Sequence, residues 1–331
     1  MAAAAGAEGR RIRQLRPPKE AIDPWKPLGV TAESERCVDG SLAPSLTIFL
    51  AGAECPFTCA HCDLWRFTVE GATPPGALVV QLREALEGRL PPAPKTRLKL
   101  YNASNFFEPR AVPVGEEEAM LPWLEGFDRV VVECHPRLVG DRCFAFAEAL
   151  ARRGVTLEVA LGLESARPEV LSRLNKGLSL EDFDAAVAKL SEAGLPSRAF
   201  ILVGAPYGNP HRAAEEAAFT AEHALEVGVE TAVLIPVRGG NGELDRLQQE
   251  GLFAPPDLED LERALDLAMP LEERWPAVVL PDLWDLEIFS RCELCFPDRA
   301  QRLHQLAARG GSLAPVRCEN CEVVKTPGEK R

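Results

Sequence analysis

Three cysteines within eight residues are the first candidates for chemistry in this sequence. They are Cys55, Cys59 and Cys62 of the stretch CPFTCAHC, which directly follows a short apolar run. Three thiolates this close in sequence can bind three irons of a [4Fe–4S] cluster and leave the fourth iron open to an external ligand. A structural zinc ion would need a fourth protein ligand. His61 lies within the stretch, but the Cys-x₃-Cys spacing is not one of the usual zinc-finger patterns. Unliganded thiols are the third alternative.

Four more cysteines form two Cys-x₂-Cys pairs near the end of the sequence. Cys292 and Cys295 belong to CELC, Cys318 and Cys321 belong to CENC, and 22 residues separate the pairs. Each pair presents two thiolates from one tight turn, so the two pairs together complete a four-ligand shell. Structural zinc and an auxiliary [4Fe–4S] cluster both fit four thiolates. The symmetry of the pairs favours zinc, whereas the first cysteine group favours a second cluster.

The composition limits the class of protein. The chain has 331 residues, a formal net charge of −13 and 46% hydrophobic residues, without a run of the roughly 18 uncharged apolar residues that a membrane span needs. The negative charge disfavours nonspecific attraction to nucleic acid or to an anionic membrane. The first residues lack the apolar region of a secretory signal, so we expect a reducing cytoplasm and no membrane partner. In that compartment, clustered cysteines indicate metal binding rather than disulfides.

The elements that must position these residues alternate between short apolar runs and longer helical stretches. This alternation is typical of successive βα units around a parallel sheet. The six predicted strands are residues 46–52, 97–102, 129–134, 156–162, 197–204 and 231–237. The predicted fold is α/β: a partial (β/α)6 barrel with parallel strands, plus a small C-terminal cysteine-rich metal-binding appendage. Ligands of such sheets bind at the carboxyl ends of the strands.

The predicted organisation has three regions. Residues 1–45 form an N-terminal extension that is partly disordered, residues 46–240 form the barrel, and residues 241–331 form a helical and four-cysteine region. The extension contains five basic residues that form either a solvated tail or an arm for phosphate groups, namely Arg10, Arg11, Arg13, Arg16 and Lys19. Within the barrel, Ser179 and Asp182 predict a helix start and Gly194 predicts its end.

The stretch CPFTCAHC resembles the signature of the radical S-adenosylmethionine (SAM) superfamily. The similarity extends over residues 46–240, and residues 161–206 resemble most closely the branch that includes the catalytic subunit of Elongator, the radical SAM subunit of archaeosine synthase and oxygen-independent coproporphyrinogen oxidase. The resemblance implies that the amino and carboxylate groups of SAM chelate the fourth iron. It implies that an electron, from a donor such as flavodoxin or ferredoxin, then cleaves SAM to methionine and a 5′-deoxyadenosyl radical. That radical abstracts hydrogen from the substrate.

The resemblance also implies which residues contact SAM. Glu133, in the stretch VECHPRLV, takes the position of a glutamate that accepts hydrogen bonds from the ribose hydroxyls. Glu164 and Ser165 end the fourth predicted strand at positions that flank SAM. Lys176 falls where an arginine often lies near the methionine carboxylate, and it keeps the charge without the planar fork. His61 takes the place of an aromatic residue near the adenine.

The second predicted strand ends differently from the family pattern. Small and polar residues in LKLYNASNFFEP replace a glycine-rich motif that receives the methionine amine, so the candidates there are Asn102, Ser104 and Asn105. Their backbone carbonyls or amide oxygens can accept from an ammonium. His135 is predicted to be a structural histidine. Arg238 and Asn241, after the sixth strand, are either substrate contacts or part of a flexible connector.

The leading hypothesis is a radical SAM enzyme whose substrate and catalytic hydrogen are unknown. A tRNA base is the best single candidate for the substrate, although the net charge of −13 argues against it. Radical tailoring of a small molecule or a peptide is the alternative reaction. A noncatalytic iron–sulfur or zinc-binding protein is the alternative from another class, and the polar residues at several strand ends argue against it.

Overall fold

One sheet of eight strands organises the protein. The computed structural model describes residues 6–90 and 92–324. The strands lie in chain order across the sheet. Their bounds are β1 (Gly29–Arg36), β2 (Leu42–Leu50), β3 (Arg97–Asn102), β4 (Arg129–Cys134), β5 (Thr156–Glu164), β6 (Ser197–Val203), β7 (Thr231–Pro236) and β8 (Val278–Pro281). Only β1 pairs antiparallel with its neighbour, and β2 to β8 are all parallel.

The predicted fold class is confirmed. Strands β2 to β7 correspond to the six predicted strands, and the sheet forms a half-barrel of the α/β class. The structure has two strands that the sequence did not predict. Strand β1 lies within residues 1–45, and β8 lies within residues 241–331. Both segments that flank the predicted barrel therefore contribute a strand to its sheet.

Helices between the parallel strands cover one face of the sheet, and further helices precede and follow the strands. They are α1 (Ala7–Leu15), α2 (Ala77–Leu86), α3 (Glu116–Leu124), α4 (Asp141–Ala151), α5 (Pro168–Leu171), α6 (Leu180–Glu192), α7 (Ala213–Glu226), α8 (Glu243–Gln249), α9 (Leu258–Ala268), α10 (Phe296–Arg309) and α11 (Glu319–Val324). The predicted capping box at the start of α6 is present, because the Ser179 hydroxyl accepts from Asp182 N and the Asp182 carboxylate accepts from Ser179 N. Among the helices of the described ranges, none has the length and hydropathy to cross a membrane.

The two faces of the sheet differ in chemistry. Side chains such as Ile48, Leu100 and Val132 alternate with inward residues and join the main apolar core together with the covering helices. The inward face bears polar residues such as Lys99 and Glu158, both buried. Because side chains of a strand alternate between its faces, this pattern directs the apolar residues to the helices and the polar ones into the half-barrel.

A buried network of ion pairs fills the lower part of the half-barrel. Glu35 of β1 accepts from Arg198 of β6 at 2.8 and 2.9 Å, from Arg97 at 3.1 Å, and lies 2.6 Å from Lys99. Arg198 also donates to Glu158 of β5 at 2.7 Å. Burial alone would raise the pKa of Glu35, but the Arg198 and Lys99 charges hold it well below its usual range. The network therefore joins four strands across the interior.

The two outer strands approach each other through side-chain contacts. Arg36 of β1 donates to the Val279 carbonyl of β8 at 3.1 Å and pairs with Glu272 at 2.7 Å. Helix α10 contacts both outer strands. These contacts curve the sheet, so its inward face is concave and its carboxyl edge is the place where loops from all parallel strands meet.

Candidate cluster and cofactor site

The three-cysteine loop lies at the carboxyl edge of the sheet, immediately after β2. Cys55, Cys59 and Cys62 are free, partly buried thiols. Burial raises the pKa of each thiol, that of Cys62 to about 12, so binding of a metal at these sulfurs must displace protons. Among the described residues, the group of potential metal ligands whose atoms all lie within 4.8 Å of one another consists of the four C-terminal cysteines. The three thiols of this loop are not part of that group, and thiolates that bind different irons of a cluster need not be.

Two asparagines hold the first half of the loop. The Asn105 amide donates to the Cys55 sulfur at 3.3 Å. The Asn175 amide donates to the carbonyl and hydroxyl oxygens of Thr58, both at 2.8 Å. Asn105 was predicted to accept from the methionine amine, whereas here its amide N–H is directed at a thiol. Asn175 adopts φ +54°, a left-handed conformation that asparagine tolerates better than most residues.

A third asparagine holds the second half of the loop. Asn241 is buried, and its amide donates to the carbonyls of Ala60 and Cys62 at 2.9 and 3.3 Å. Its oxygen accepts from Leu244 N at 2.7 Å, which anchors the amide to the start of α8. The segment after β7 is thus part of the support of the cysteine loop. Arg238, the other candidate there, pairs with Asp282 at 3.3 Å.

His135 supports the same loop from β4. Its ring stacks on Phe57 with centroids 4.1 Å apart and an interplanar angle of 12°. Nδ1 accepts from Arg137 N at 3.2 Å, so the other ring nitrogen, Nε2, carries the proton and donates to the Lys176 carbonyl at 3.2 Å. Burial lowers the pKa of His135 to about 3. The ring is therefore neutral and fully hydrogen-bonded, as the structural interpretation of this histidine requires.

A buried charged group lies beside the thiols at the ends of β5 and its following loop. Lys176 Nζ pairs with Glu164 Oε1 at 2.6 Å, and His61 Nε2 lies 3.7 Å from the other oxygen of that carboxylate. Burial opposes ionisation of both partners, but the Lys176 charge lowers the pKa of Glu164 and the carboxylate raises that of Lys176. Gly162 borders the pair, because a Cβ there would collide with both charged ends. The negative charge that Cys59 carries as a thiolate also raises the pKa of Lys176, because the two groups lie near each other.

Neighbouring polar atoms are buried without partners. Both side-chain atoms of Asn102, the Ser104 hydroxyl and His61 Nδ1 have no hydrogen-bond partner among the described residues. The Glu133 carboxylate accepts from Asn102 N at 3.0 Å, and burial raises the pKa of Glu133 to about 8. Buried polar atoms are rarely left unsatisfied in native proteins. These atoms therefore fit a polar ligand with its own donors and acceptors, which is what SAM offers.

The remaining predicted contact is directed elsewhere. Ser165 is buried, and its hydroxyl accepts from Arg167 N at 3.1 Å, so it braces the turn that begins α5. Glu164 itself adopts φ +69°, and the ladder between β5 and β6 shifts register between Gly162 and Glu164. Such irregularities direct particular side chains at functional sites. The structure thus groups His61, Glu164 and Lys176 at this edge and leaves Ser165 in a turn.

The basic N-terminal segment packs against the cysteine loop. Arg16 pairs with Glu54 at 2.7 Å and lies over the Trp65 ring, 4.8 Å from its centroid. Lys19 donates to the carbonyl and hydroxyl oxygens of Thr68, both at 2.9 Å. In the described part of the chain this segment is therefore neither a solvated tail nor an extended arm. It is a strap across the outer side of the loop.

A cavity of about 530 Å³ lies between α1 and the loop that follows β5. Its lining includes Arg11, Arg173, Tyr207 and Arg246, and it reaches the cysteine loop only through Asn175. None of the predicted cluster or SAM ligands lines it. The site built from the thiols and the buried polar atoms is therefore distinct from this cavity.

The C-terminal cysteines form a compact group. Cys292 and Cys318 sulfurs are 3.9 Å apart, Cys295 and Cys321 sulfurs are 3.7 Å apart, and all four lie within 4.8 Å of one another. Four sulfurs about 2.3 Å from one tetrahedral zinc ion lie about 3.8 Å apart. The Asn320 amide donates to the Cys292 sulfur at 3.4 Å and lowers the pKa of that thiol to about 6. The group is therefore suited to a single tetrahedral ion.

No protein-family model matches the sequence, and no curated protein matches it. Solved structures do match. SuiB from Streptococcus suis bound to S-adenosylmethionine is 12% identical, with a TM-score of 0.51 over 71% of this chain and 49% of SuiB. A radical SAM methyltransferase from Sphaerobacter thermophilus is 17% identical, with a TM-score of 0.50 over 80% of this chain and 79% of that one. Archaeal Elp3 from Methanocaldococcus infernus is 16% identical, with a TM-score of 0.49 over 70% of this chain and 59% of Elp3.

At these identities the likeness shows the fold. The chain has the partial-barrel fold of radical SAM enzymes, as its cysteine signature led us to expect. It spans 59% of the length of Elp3 and 49% of SuiB.

Proposed function

We propose that this chain is a radical SAM enzyme that binds a [4Fe–4S] cluster through Cys55, Cys59 and Cys62. The observation that carries the proposal is the position of the three thiols. They lie on one loop at the carboxyl edge of the half-barrel, next to buried polar atoms without partners. When bound there, cluster and SAM together supply a 5′-deoxyadenosyl radical that abstracts hydrogen from a substrate.

The residues around the thiols have separate roles in this proposal. Lys176 presents a buried ammonium toward the cluster loop and attracts the methionine carboxylate, while Glu164 fixes its position. Glu133 accepts hydrogen bonds from the ribose diol, and these bonds favour its ionised form over the protonated form that burial favours without SAM. Asn102 offers an unused amide to the methionine end or to the ribose. The chain thus binds and orients SAM, and the inward position excludes water.

Reductive cleavage of SAM tests the proposal. Anaerobically reconstituted protein should hold four irons, bind SAM and release 5′-deoxyadenosine when reduced by dithionite. Cys59→Ser should lose the cluster and the product, whereas the matched control Cys37→Ser should keep both, because Cys37 lies outside the loop. Protein that holds four irons but shows no change in the electron paramagnetic resonance (EPR) signal with SAM, and no product, would contradict the proposal.

We propose that the C-terminal cysteines bind one zinc ion. The sulfur separations of 3.7 and 3.9 Å support this assignment, since the sulfurs around a cluster bind different irons and lie farther apart. A Cys292→Ala, Cys295→Ala variant should lose zinc and keep four irons by elemental analysis. Loss of four irons with zinc unchanged would assign an auxiliary cluster instead.

We propose a tRNA base as the substrate and a one-electron carrier such as flavodoxin or ferredoxin as the reductant. The resemblance to the archaeosine synthase subunit supports the first. Retention of tRNA by the protein should weaken steeply as salt rises, because phosphate contacts release counterions. Salt-independent or absent retention would favour radical tailoring of a small molecule or peptide.

A further inference from the structure

The upper part of the concave face is open rather than filled. Each strand from β2 to β7 has one partly exposed inward residue near its carboxyl end, and the residues on either side of it are buried. These six residues are Phe49, Tyr101, Glu133, Gly162, Phe200 and Ile235. In the strand register Glu133 pairs with Ala160 and Ile235 pairs with Leu202, so the six residues follow a diagonal across the sheet. They line a partly exposed part of the concave face between the ion-pair network and the proposed SAM contacts.

Aromatic rings form one continuous wall of this space. Phe49 and Tyr101 are register partners on β2 and β3, with ring centroids 6.3 Å apart. Tyr101 meets Phe200 edge to face at 5.9 Å and 87°. Trp284, from the loop after β8, meets Phe49 edge to face at 4.7 Å and 69°. In each edge-to-face contact the edge of one ring meets the face of its neighbour. The rings of the wall remain partly exposed, so they border the interior.

The wall is held in place rather than loosely packed. Arg238 donates to the Trp284 carbonyl at 3.0 Å and to Asp282 at 3.3 Å. The same carboxylate accepts from Trp284 N at 3.1 Å. Trp284 is thus fixed by a bridge from the β7 loop to the β8 loop. This is the role that the structure gives to Arg238.

Polar groups border the aromatic wall above and below. Within the described part of the chain, the Tyr101 hydroxyl and the Trp284 indole N–H make no hydrogen bond to protein. One layer deeper on the same strands lie Lys99 and Arg198, and Glu133 lies at the level of the rings. Lys99 and Arg198 are engaged in the ion-pair network, so the groups within reach of a ligand here are the aromatic rings, the Tyr101 hydroxyl and the Trp284 indole N–H.

We infer that this space binds a flat heteroaromatic ring of the substrate. The inference rests on the proposed function, because it places the reacting part of the substrate beside the SAM site. Stacking on aromatic side chains contributes strongly to the binding of planar rings, and the four partly exposed rings of the wall offer such contacts. A nucleobase and a heteroaromatic small molecule share this chemistry.

The test is ring binding by the reconstituted protein with its cluster, saturated with SAM and left unreduced. Bound SAM keeps the probes out of its own site. The probes are uridine and tryptophan, with methyl riboside and cyclohexylalanine as nonaromatic counterparts, measured by equilibrium dialysis. We expect an aromatic probe to bind and its counterpart not to bind. Uridine alone would indicate a nucleobase, and tryptophan alone would indicate a heteroaromatic small molecule or peptide side chain.

Matched variants connect binding to the wall. Phe200→Leu and Phe49→Leu keep an apolar side chain but remove the ring, and each should weaken binding about tenfold. The control Phe219→Leu removes a surface ring of α7 and should leave binding unchanged. SAM binding in every variant confirms that each is folded. If neither aromatic probe binds, or if both wall variants bind like wild type, the inference is wrong. Failure of SAM binding itself would instead contradict the proposed function.

Discussion

The Asn105 amide is the one side-chain donor that contacts a cluster thiol within the described residues. It donates to the Cys55 sulfur at 3.3 Å. Hydrogen bonds to cluster sulfurs stabilise the more negative reduced state and so raise the reduction potential. We predict that Asn105→Ala lowers the potential by on the order of 40 mV, the equivalent of about 1 kcal/mol for one electron. Potentiometric titration followed by EPR measures this shift.

Asn175→Ala provides the control for that prediction. Its amide contacts the oxygens of Thr58 rather than a sulfur. This variant should retain the wild-type potential even where it lowers the yield of loaded protein. Equal shifts in both variants would show that loop position, and not the bond to sulfur, sets the potential.

Glu133 gives the site a defined pH dependence before SAM binds. Burial raises its pKa from an ordinary 4.5 to about 8. A folded pKa above the unfolded one means that the folded chain holds the proton more tightly, so stability is fully present below pH 4.5 and is lost as pH rises toward 8. We predict that, without SAM, the free energy of unfolding of Glu133→Gln exceeds that of wild type by at most about 5 kcal/mol at pH 9 and by little at pH 5. Urea unfolding at both pH values measures the difference; a gain that is equal at both would refute the pKa assignment.

At the scale of elements, the strands with apolar sequences were predicted, and the polar or very short strands were missed. Strands β2 to β7 are buried on one face by helices, so their sequences are apolar or β-branched and their positions were predictable. Strand β1 reads GVTAESER and is mostly exposed, because it lies at the edge of the sheet; β8 has only four residues. Neither carries a period that sequence analysis detects.

The same limit applies to the site. The cysteines were predicted because their spacing is local, and Glu133 and Lys176 because the stretches around them resemble those of radical SAM enzymes. The role of Asn241 as a support of the cysteine loop was missed, since its partners Ala60 and Cys62 lie about 180 residues away. Asn175 belonged to a recognised stretch, but its bond to Thr58 depends on tertiary contact and on a left-handed φ. Neither relationship has a sequence signal.

The N-terminal strap is an element whose contribution is testable. Arg16 connects it to the cysteine loop through Glu54 and Trp65. Together, a partly exposed ion pair and a cation–π contact stabilise by roughly 1 to 2 kcal/mol. We predict that Arg16→Gln loosens the loop and speeds the bleaching of the bound cluster in air about fivefold. Arg152→Gln, directly after α4, is the matched control because the Arg152 side chain is exposed; identical rates in wild type and Arg16→Gln would exclude a protective role.

At the scale of the whole molecule, the half-barrel has two parts. Its charged floor is the buried network of ion pairs around Arg198, and its rim is the carboxyl edge of the sheet, where the proposed site lies. The helices bury the apolar face of the sheet, so charged residues can occupy the concave face only if they are paired. The carboxyl edge then carries the thiols, the polar atoms and the aromatic wall. The floor fixes the relative position of strands whose ends must align at the site.

The charged floor supports the last prediction. Arg198 is 1% exposed and pairs with both Glu35 and Glu158. Removing one partner of a buried pair leaves charges uncompensated, which costs about 3 to 5 kcal/mol. We predict that Arg198→Met lowers the free energy of unfolding by that amount in urea. Arg129→Met should cost less, because the Arg129 side chain is 20% exposed and Glu158 keeps Arg198 as a partner.

A compensated variant distinguishes charge from packing as the cause of that loss. Replacing Glu158 with leucine in the Arg198→Met background removes the carboxylate that has lost Arg198, while an apolar side chain still fills the floor. Glu35 keeps Lys99 and Arg97 as partners in that variant, and Arg129 keeps Glu230. Stability should then recover, since an apolar replacement of a buried ionic group is often neutral or stabilising. Continued instability would mean that the ion pairs set the alignment of β1, β5 and β6, and SAM binding should then fall with stability. Recovery of stability with intact SAM binding would show instead that the floor needs only to be filled, and that the geometry of the rim is set by the loops above it.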